Sequence, residues 1–309
     1  MELSIPRLAK RIPTEAAAYE FLEELRWGAR PVCPHCGSLG DHRYLVPANG
    51  VSRETVRGKQ SERRVWKCRD CKRQFSAITG TVMHGSHIPI RTWLFVIFEM
   101  VSNKNGVAAR EIERRYDLHP KSAFDMLHRI REAMANGPKG LFGNVVVADE
   151  TYIGGDPTNW HATDTRPHGW ARGTKKTAVF SLIDVTAGEV RSKVIDHVNV
   201  RELGEAIAEN VDMSTTELHS DKFPSYRVIG QGMAAHHFVD HNAGQYVTEK
   251  SSGTNKAENY FSQLKRSLDG THHSVSRKYL PRYLGEFDFR YSTRDISDTQ
   301  RMARLMGQV

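Results

Sequence analysis

Four cysteines in two short pairs constrain the fold of the N-terminal part of this chain more than any other feature. Cys33 and Cys36 form one C-x-x-C pair, and Cys68 and Cys71 form a second. Each spacing fits a tight turn that points both sulfur atoms at one ion, and four thiolates in a tetrahedron make a closed zinc site. The sequence therefore predicts one structural Zn²⁺ bound by all four cysteines.

The cysteine pattern alone leaves alternatives to this zinc site. The four residues could be free thiols in a small core or include a redox C-x-x-C pair, and His35 could replace one thiolate ligand. The two pairs also lie farther apart than in most zinc ribbons, and residues 41–64 between them are predicted to form a polar hairpin or loop. A short amphipathic helix is predicted before them, over residues 15–25.

Length and charge indicate the class of protein. The 309 residues exceed one typical domain, so we expect a catalytic core and smaller modules. The formal net charge of +8, spread along the chain, favours a polyanionic partner, with nucleic acid the leading candidate. The N-terminus lacks the apolar core of a signal peptide, and the longest apolar run, residues 93–98, is too short to span a bilayer. We therefore expect a cytoplasmic protein without a membrane partner.

Helical periodicity is typical of the next region, residues 91–137. Helices are predicted over residues 92–101 and 107–116, and a third helix opens with Pro120 after a turn. This order resembles a helix-turn-helix, although an ordinary helical hairpin between two domains would have the same pattern. In a helix-turn-helix, four residues would lie near DNA: Lys121, Ser122, Arg129 and Arg131.

Three acids in the C-terminal half are candidates for catalysis. Beyond a Gly- and Pro-containing linker, two short buried strands are predicted to end in Asp149 and Asp221, where open sheets commonly place catalytic groups. A third acid, Glu258, lies on a helix at the edge of its buried stripe. Lys265, almost two turns later, shares the face of Glu258 and is suited to holding a substrate phosphate.

Three converging carboxylates would repel one another unless cations neutralised them, and hard oxygen ligands suit Mg²⁺ or Mn²⁺. Two such ions can activate water or a DNA 3′-hydroxyl and stabilise the leaving oxygen, which is the chemistry of cutting and joining DNA. Glu150 would point to the other side of its strand and is interpreted as a supporting residue. Asp184 and Asp196 also end predicted strands and are the alternatives to Asp221.

Two further features are interpreted with less specificity. Residues 158–174 mix basic and aromatic side chains, among them Arg172, and would suit an unpaired or distorted DNA end or form an ordinary solvated loop. His237 and His241 are interpreted as histidines satisfied by local hydrogen bonds rather than as catalytic residues.

Several stretches together resemble the ISXO-like insertion-sequence transposases of the DDE superfamily. They are Asp149-Glu150-Thr151-Tyr152-Ile153-Gly154-Gly155, His219-Ser220-Asp221, the segment 236–241, Glu258 with Lys265-Arg266, and Tyr283-Leu284-Gly285-Glu286-Phe287-Asp288-Phe289-Arg290-Tyr291. The resemblance covers nearly the whole chain, including the cysteine pairs. It implies that Asp149, Asp221 and Glu258 are the catalytic, Mg²⁺-binding triad, followed by the basic residues Lys265 and Arg266, which would contact DNA.

The resemblance also implies a multidomain organisation and a set of partners. The expected fold is a zinc ribbon with an N-terminal helix over residues 1–90, a helix-turn-helix-like region over residues 91–137, and an α/β RNase H-like catalytic domain with a mixed sheet and C-terminal helices over residues 141–309. The expected partner is double-stranded DNA, both the terminal inverted repeats of the element and the target, bound by a homodimer or higher oligomer at the bacterial nucleoid. Two rival functions stay open: a metal-dependent nuclease that only cleaves, and a zinc-ribbon regulator with an inactive core.

Overall fold

The computed structural model describes residues 2–47, 50, 52–54, 58, 60–137, 140–154, 176–239 and 255–307. The chain divides into two compact units. One comprises Met1–Asn103, Val107–Gly137 and Ile296–Val309, and the other comprises Lys104–Gly106 and Pro138–Asp295. Within the described ranges, no helix is long and apolar enough to cross a membrane.

Short helices and two-residue strands form the N-terminal part of the first unit. They are α1 (Ile5–Arg11), α2 (Glu15–Trp27), β1 (Arg43–Tyr44), β2 (Arg53–Glu54), β3 (Gln60–Ser61), β4 (Trp66–Lys67) and β5 (Gln74–Phe75). Strand β4 pairs antiparallel with β1 and with β5, whereas β2 and β3 pair with each other in a separate two-stranded sheet. The antiparallel β2–β3 pair lies within the segment predicted to form a polar hairpin or loop.

Three helices follow in the same unit. They are α3 (Ile90–Ser102), α4 (Ala109–Tyr116) and α5 (Pro120–Ala135). Nine of the thirteen residues of α3 are buried, so α3 is the central helix of the unit. Helix α4 ends at Tyr116 and is capped by Asp117, which adopts a left-handed conformation with φ of 49°, and α5 begins at Pro120 as predicted. The helix-turn-helix-like succession is therefore present.

An acid from α2 caps the start of α3. The residue before α3 is Pro89, which offers no side-chain cap to the first amide groups of the helix. The carboxylate of Glu15 instead accepts hydrogen bonds from the N–H groups of Ile90 at 2.6 Å and Arg91 at 3.1 Å. Because unpaired N–H groups at a helix start are costly and a negative charge is favourable there, Glu15 fixes α3 to the start of α2.

The second unit is built on one five-stranded sheet with helices on both faces. Its elements are β6 (Val145–Ile153), β7 (Thr177–Asp184), β8 (Val190–Ile195), α6 (Val200–Ala208), β9 (Glu217–Asp221), α7 (Pro224–Gly230), β10 (Ala235–Val239), α8 (Asn255–Ser267) and α9 (Leu280–Ser292). The strand order is β10-β9-β6-β7-β8. Strand β7 is antiparallel to β6 and β8, whereas β9 is parallel to β6 and β10 is parallel to β9. A three-stranded antiparallel meander followed by two parallel strands on the other side of its first strand is the RNase H-like arrangement, so the predicted mixed sheet is confirmed.

Two apolar cores cover the faces of this sheet. On one face, Ala148, Leu182 and Leu218 pack with residues of α6 and α7, including Tyr226. On the other face, Val147 and Val179 pack with residues of α8 and α9. Since successive strand residues point to opposite faces, this assignment fixes the direction of every side chain near the middle of β6.

The C-terminal helix differs from the predicted domain division. Helix α10 (Asp298–Met306) lies in the first unit, where it packs against α3 and α2, and its apolar stripe of Met302, Leu305 and Met306 is buried. The sequence predicts one domain over residues 141–309 and two others over residues 1–90 and 91–137. The structure instead groups both N-terminal regions and α10 around α3, because their apolar faces are buried against one another.

Candidate functional site

The register of two parallel strands brings Asp149 and Asp221 to the same level of the sheet. The pairing of β6 with β9 ends at Val147 and His219, and each aspartate lies two residues beyond the last paired residue of its strand. An offset of two residues preserves the face, so both carboxyl groups lie on the face of Val147, which packs against α8 and α9. Beyond this point β6 and β9 no longer pair, and the two acids lie at the opening between them.

Asp149 does not lie at the end of its strand as predicted. Strand β6 continues to Ile153, because β7 pairs with it antiparallel through the whole of Asp149–Ile153 and satisfies its backbone groups. Asp221, in contrast, is the last residue of β9, and its Oδ1 accepts the N–H of Phe223 at 3.0 Å before α7 begins. The placement of the second acid is therefore confirmed and that of the first is corrected.

Glu258 approaches these aspartates from the first turn of α8. Its neighbours Ala257 and Phe261 are buried in the core beneath the sheet, and α8 contacts β6 and β7. Glu258 itself is exposed. Its negative charge acts on Asp149, as does that of Asp221, so the three predicted acids are brought together around Asp149.

The electrostatics of this cluster favour a cation. Burial, with the negative charges of Glu150, Asp221 and Glu258, raises the pKa of Asp149 to about 7, against the effect of the hydrogen bond from the Glu150 N–H. A carboxylate whose ionisation is this costly is neutralised by a proton or by a metal ion. The three acids offer only hard oxygen ligands, which fit Mg²⁺ or Mn²⁺.

Glu150 lies on the opposite face of the sheet from Asp149. Its Oε2 accepts a 2.5 Å hydrogen bond from the hydroxyl of Tyr226, which is fully buried on α7. Burial raises the pKa of Glu150 to about 7, with a further contribution from the charge of Asp221. The interpretation of Glu150 as a supporting residue agrees with this position.

The two alternatives to Asp221 are engaged elsewhere. The Oδ1 of Asp184 accepts the N–H groups of Thr186 and Ala187, both at 2.8 Å, and shapes the turn after β7. Asp196 forms an ion pair with Arg277. Neither has an electrostatic contribution among those that shift the pKa of Asp149.

The basic residues after Glu258 are accessible. Lys265 and Arg266 are exposed on the last turn of α8, and the Nε of Arg266 donates to the Ser262 carbonyl at 3.3 Å. Arg172 and His241 lie outside the described residues. The exposed positions of Lys265 and Arg266 are suited to a phosphate contact.

Residues of α5 that were predicted to contact DNA differ in accessibility. Lys121 is exposed and Ser122 is half-buried at the start of the helix. Arg129 donates to the His84 carbonyl at 2.6 Å and lies over the Trp93 ring. Arg131 is 1% exposed. The DNA contact predicted for Arg131 is therefore not available, since its guanidinium is in the interior of the unit.

The four cysteines form the predicted metal-binding cluster. The Sγ atoms of Cys33 and Cys71 lie 3.7 Å apart, as do those of Cys36 and Cys68, and all four lie within 4.8 Å of one another. Four sulfurs at about 2.3 Å from a tetrahedral Zn²⁺ would be about 3.8 Å apart. Both 3.7 Å separations match this value, so the four thiols fit a Zn²⁺ ion. His35 is outside this group, and its Nε2 lies 3.2 Å from the Gln74 carbonyl oxygen.

Two matching turns position these sulfurs. The N–H of Cys33 donates to the Ser38 carbonyl at 3.0 Å, and the N–H of Cys68 donates to the Arg73 carbonyl at 2.9 Å. The residue after each second cysteine is left-handed: Gly37 with φ of 71° and Lys72 with φ of 59°. Each turn thus folds back over its own pair, as the C-x-x-C spacing predicts.

A second group of ligand-type residues, which the sequence analysis missed, lies near Asp221. Glu217, His219 and His237 have side-chain ligand atoms within 4.8 Å of one another. Of the described residues, only this group and the four cysteines are so closely placed, and the three acids around Asp149 are spaced more widely. The sequence signal for this group is the spacing of Glu217 and His219. Because they are two residues apart on a strand, their side chains point to the same face.

Models of two protein families match this chain. Residues 140–292 match the ISXO2-like transposase domain, and residues 13–74 match the transposase zinc-ribbon domain. A protein of Halobacterium salinarum, described as an uncharacterized protein in transposable element ISH50, is 26% identical over 293 residues, which cover 91% of this chain and 92% of that protein.

Solved structures with a distant likeness are viral integrase domains. The catalytic core domain of BIV integrase has a TM-score of 0.30 and 15% identity, covering 46% of this chain and 80% of its own. The HTLV-2 integrase catalytic core domain in complex with magnesium has a TM-score of 0.28 and 9% identity, covering 48% and 86%. At such scores the fold assignment rests on the strand order described above.

Proposed function

Because the chain belongs to the ISXO2-like transposases, with their zinc-ribbon and DDE domains, we propose that it binds the ends of its insertion sequence and catalyses metal-dependent cleavage and transfer of DNA strands. The observation that carries this proposal is the arrangement of three acids. Asp149 and Asp221 lie level on adjacent parallel strands, and the negative charge of Glu258, in the first turn of α8, acts on Asp149.

The acids would act together as the ligands of two divalent ions. Asp149, whose pKa is raised by the charges of Asp221 and Glu258, would hold the ions together with these two acids. Phosphoryl transfer commonly uses two such ions, which activate the attacking oxygen and stabilise the leaving one. When bound, Mg²⁺ or Mn²⁺ supplies charge neutralisation for the attacking and leaving oxygens.

The surrounding residues would position this site and its substrate. Tyr226 holds Glu150 on the far side of β6, so Glu150 adds negative charge behind Asp149 without occupying the opening. Lys265 and Arg266, exposed on α8, would bind a DNA phosphate next to the scissile bond. Precise placement of this kind supplies much of the rate enhancement in phosphoryl transfer.

The N-terminal unit would recognise the element ends. Zinc bound by its four cysteines would fix the two C-x-x-C turns, and the exposed Lys121 and half-buried Ser122 lie at the start of α5, where a recognition helix would contact DNA. Since each chain has one set of three acids and two element ends must be processed together, we expect a dimer or higher oligomer on DNA. The place of action would be the nucleoid in the bacterial cytoplasm, where the DNA is.

The test uses the full chain, a labelled duplex carrying the element end, and a supercoiled target plasmid in Mg²⁺. We expect cleavage at the element end and covalent joining of the labelled strand to the plasmid. Cleavage without joining would identify a nuclease instead. Binding without cleavage in either Mg²⁺ or Mn²⁺ would identify a regulator, and either result would overturn the proposal.

A further inference from the structure

Three ligand-type side chains lie on one face of the sheet outside the triad. Glu217 and His219 are on β9 and His237 is on β10, where His237 pairs in register with His219. Residues two apart on a strand, and residues paired across parallel strands, point to the same side of a sheet. The backbone therefore directs one carboxylate and two imidazoles towards a common point.

The distances within this group fit a shared ion. The Oε2 of Glu217 lies 4.0 Å from the Nε2 of His219 and 3.7 Å from the Nε2 of His237. Both separations are too long for a hydrogen bond. Two ligands at about 2.0–2.2 Å from a tetrahedral ion are about 3.4 Å apart, so a small rotation of side chains would close the group on one ion.

One ring nitrogen of the group is buried, and no described residue forms a hydrogen bond with it. The Nε2 of His237 is inaccessible to solvent and has no hydrogen-bond partner among the residues that the structure describes. His219, which faces it with ring centroids 5.0 Å apart, is 2% exposed. An unsatisfied buried nitrogen is costly and requires an explanation, and a metal ion bound on the side of Glu217 would satisfy it.

The ligand chemistry selects a transition metal. Two imidazoles and one carboxylate are a common set for Zn²⁺ with an open fourth position, whereas Mg²⁺ prefers oxygen ligands alone. We propose that Glu217, His219 and His237 bind one Zn²⁺ ion and leave one coordination position open to solvent. This site is separate from the four cysteines and does not depend on the proposed DNA chemistry.

The proposed zinc site lies next to the triad acid Asp221 on the same strand. His219 is two residues before Asp221 on the same face of β9, about 7 Å along the strand. The ion would join β9 to β10 next to the point where β9 separates from β6. Its role would be to hold the strand that carries Asp221, and the three protein ligands would be positioning residues for that acid.

The test measures zinc directly on the full chain. The protein is equilibrated with Zn²⁺, passed through gel filtration, and analysed for zinc per chain, and Zn²⁺ is titrated in competition with a chelating dye. We expect His237→Gln to hold one zinc fewer than the wild type. Its Kd for that ion should rise by more than about a hundredfold, since loss of even an outer-shell partner of a metal ligand costs 10–100-fold.

Matched variants make the result specific. His236→Gln changes the neighbouring histidine, whose Nε2 lies 2.9 Å from the Ser220 hydroxyl instead, and should keep the zinc content of the wild type. Glu258→Gln removes a triad acid and should also keep this ion. If His237→Gln does not fold, as judged by thermal melting, Glu217→Gln replaces it.

Two results would overturn the proposal. One is equal zinc content in the wild type and in the variant at Glu217 or His237. The other is loss of the additional zinc in Glu258→Gln but not in His237→Gln, because the ion would then belong to the triad. The test does not measure DNA cleavage. The proposed zinc site can therefore be refuted without refuting the proposed function, and the reverse also holds.

Discussion

Replacing Asp149 with asparagine should stabilise the fold while abolishing the chemistry. Burial and three neighbouring negative charges raise the pKa of Asp149 from 3.8 to about 7. The difference corresponds to a cost of about 4 kcal/mol when the carboxylate is ionised in the folded protein without a divalent ion. Asparagine keeps an oxygen that can accept the Glu150 N–H, now bonded at 2.8 Å, and carries no charge.

The sign of the effect sets its pH dependence. The folded-state pKa is raised above the unfolded value, so the folded protein retains its proton longer, and stability falls as the pH rises from about 4 to about 7. The advantage of Asp149→Asn should therefore grow over this interval and level off above pH 7. For a unit of this size, a gain of about 4 kcal/mol raises Tm by roughly 8–16 °C.

The assay is thermal melting at pH 5 and pH 8 without added Mg²⁺ and without a chelator, so that zinc stays bound. Asp212→Asn is the control, because hydrogen bonds from Ser214 lower the pKa of Asp212 and its replacement should not stabilise the fold. Added Mg²⁺ should raise the Tm of the wild type but not of Asp149→Asn. An Asp149→Asn protein that melts below the wild type at pH 8 would refute the electrostatic account of the site.

Three further predictions concern the zinc site, the DNA surface and the support of the triad. Cys68→Ser should lose the cysteine-bound zinc and unfold the ribbon, seen as lower zinc content and faster proteolysis, and an unchanged zinc content would contradict the site. Lys121→Ala should weaken end binding and reduce the salt slope by about one. Arg131→Ala should instead lower Tm, because its side chain is buried. Weaker end binding by Arg131→Ala with an unchanged Tm would identify Arg131 as a DNA contact. Tyr226→Phe removes the hydroxyl that donates to Glu150 and should destabilise the fold by about 1–3 kcal/mol, with no change in Tm counting against this support.

The sequence predicted best what is set by local spacing. The two cysteine turns need only a few residues each, and their geometry follows from the C-x-x-C spacing. The capped helix α2 and the start of α5 at Pro120 are similarly local. The strand order was expected only from the family resemblance, because pairing between distant strands leaves no direct mark on the sequence.

The errors arise where distant parts of the chain meet. Asp149 lies inside β6 because β7 pairs with it as far as Ile153, which the β6 segment alone does not indicate. Helix α10 belongs with α3 although the intervening sequence forms the other unit. The wrong prediction of a DNA contact for Arg131 could have been avoided from the sequence. Arg131 lies four residues after the buried Leu127 and therefore on the inner face of α5.

The histidine group shows a different limit. His237 is predicted to be satisfied by local hydrogen bonds, yet within the described ranges its Nε2 has no hydrogen-bond partner. Its relation to Glu217 and His219 depends on the register between β9 and β10, which follows from the fold and not from sequence proximity. Only the paired strands make the three side chains neighbours.

The central claim is that three acids act as one metal site, and Glu258→Gln tests it most directly. The matched control is Glu205→Gln, which makes the same replacement at an exposed ion pair with Arg201 on α6, on the other face of the sheet. Both variants should fold and bind element-end DNA as the wild type does. In Mg²⁺, Glu258→Gln should lose cleavage and joining by about a hundredfold or more, as loss of one transition-state charge contact does, while Glu205→Gln retains both. Near-normal cleavage by Glu258→Gln would contradict the account.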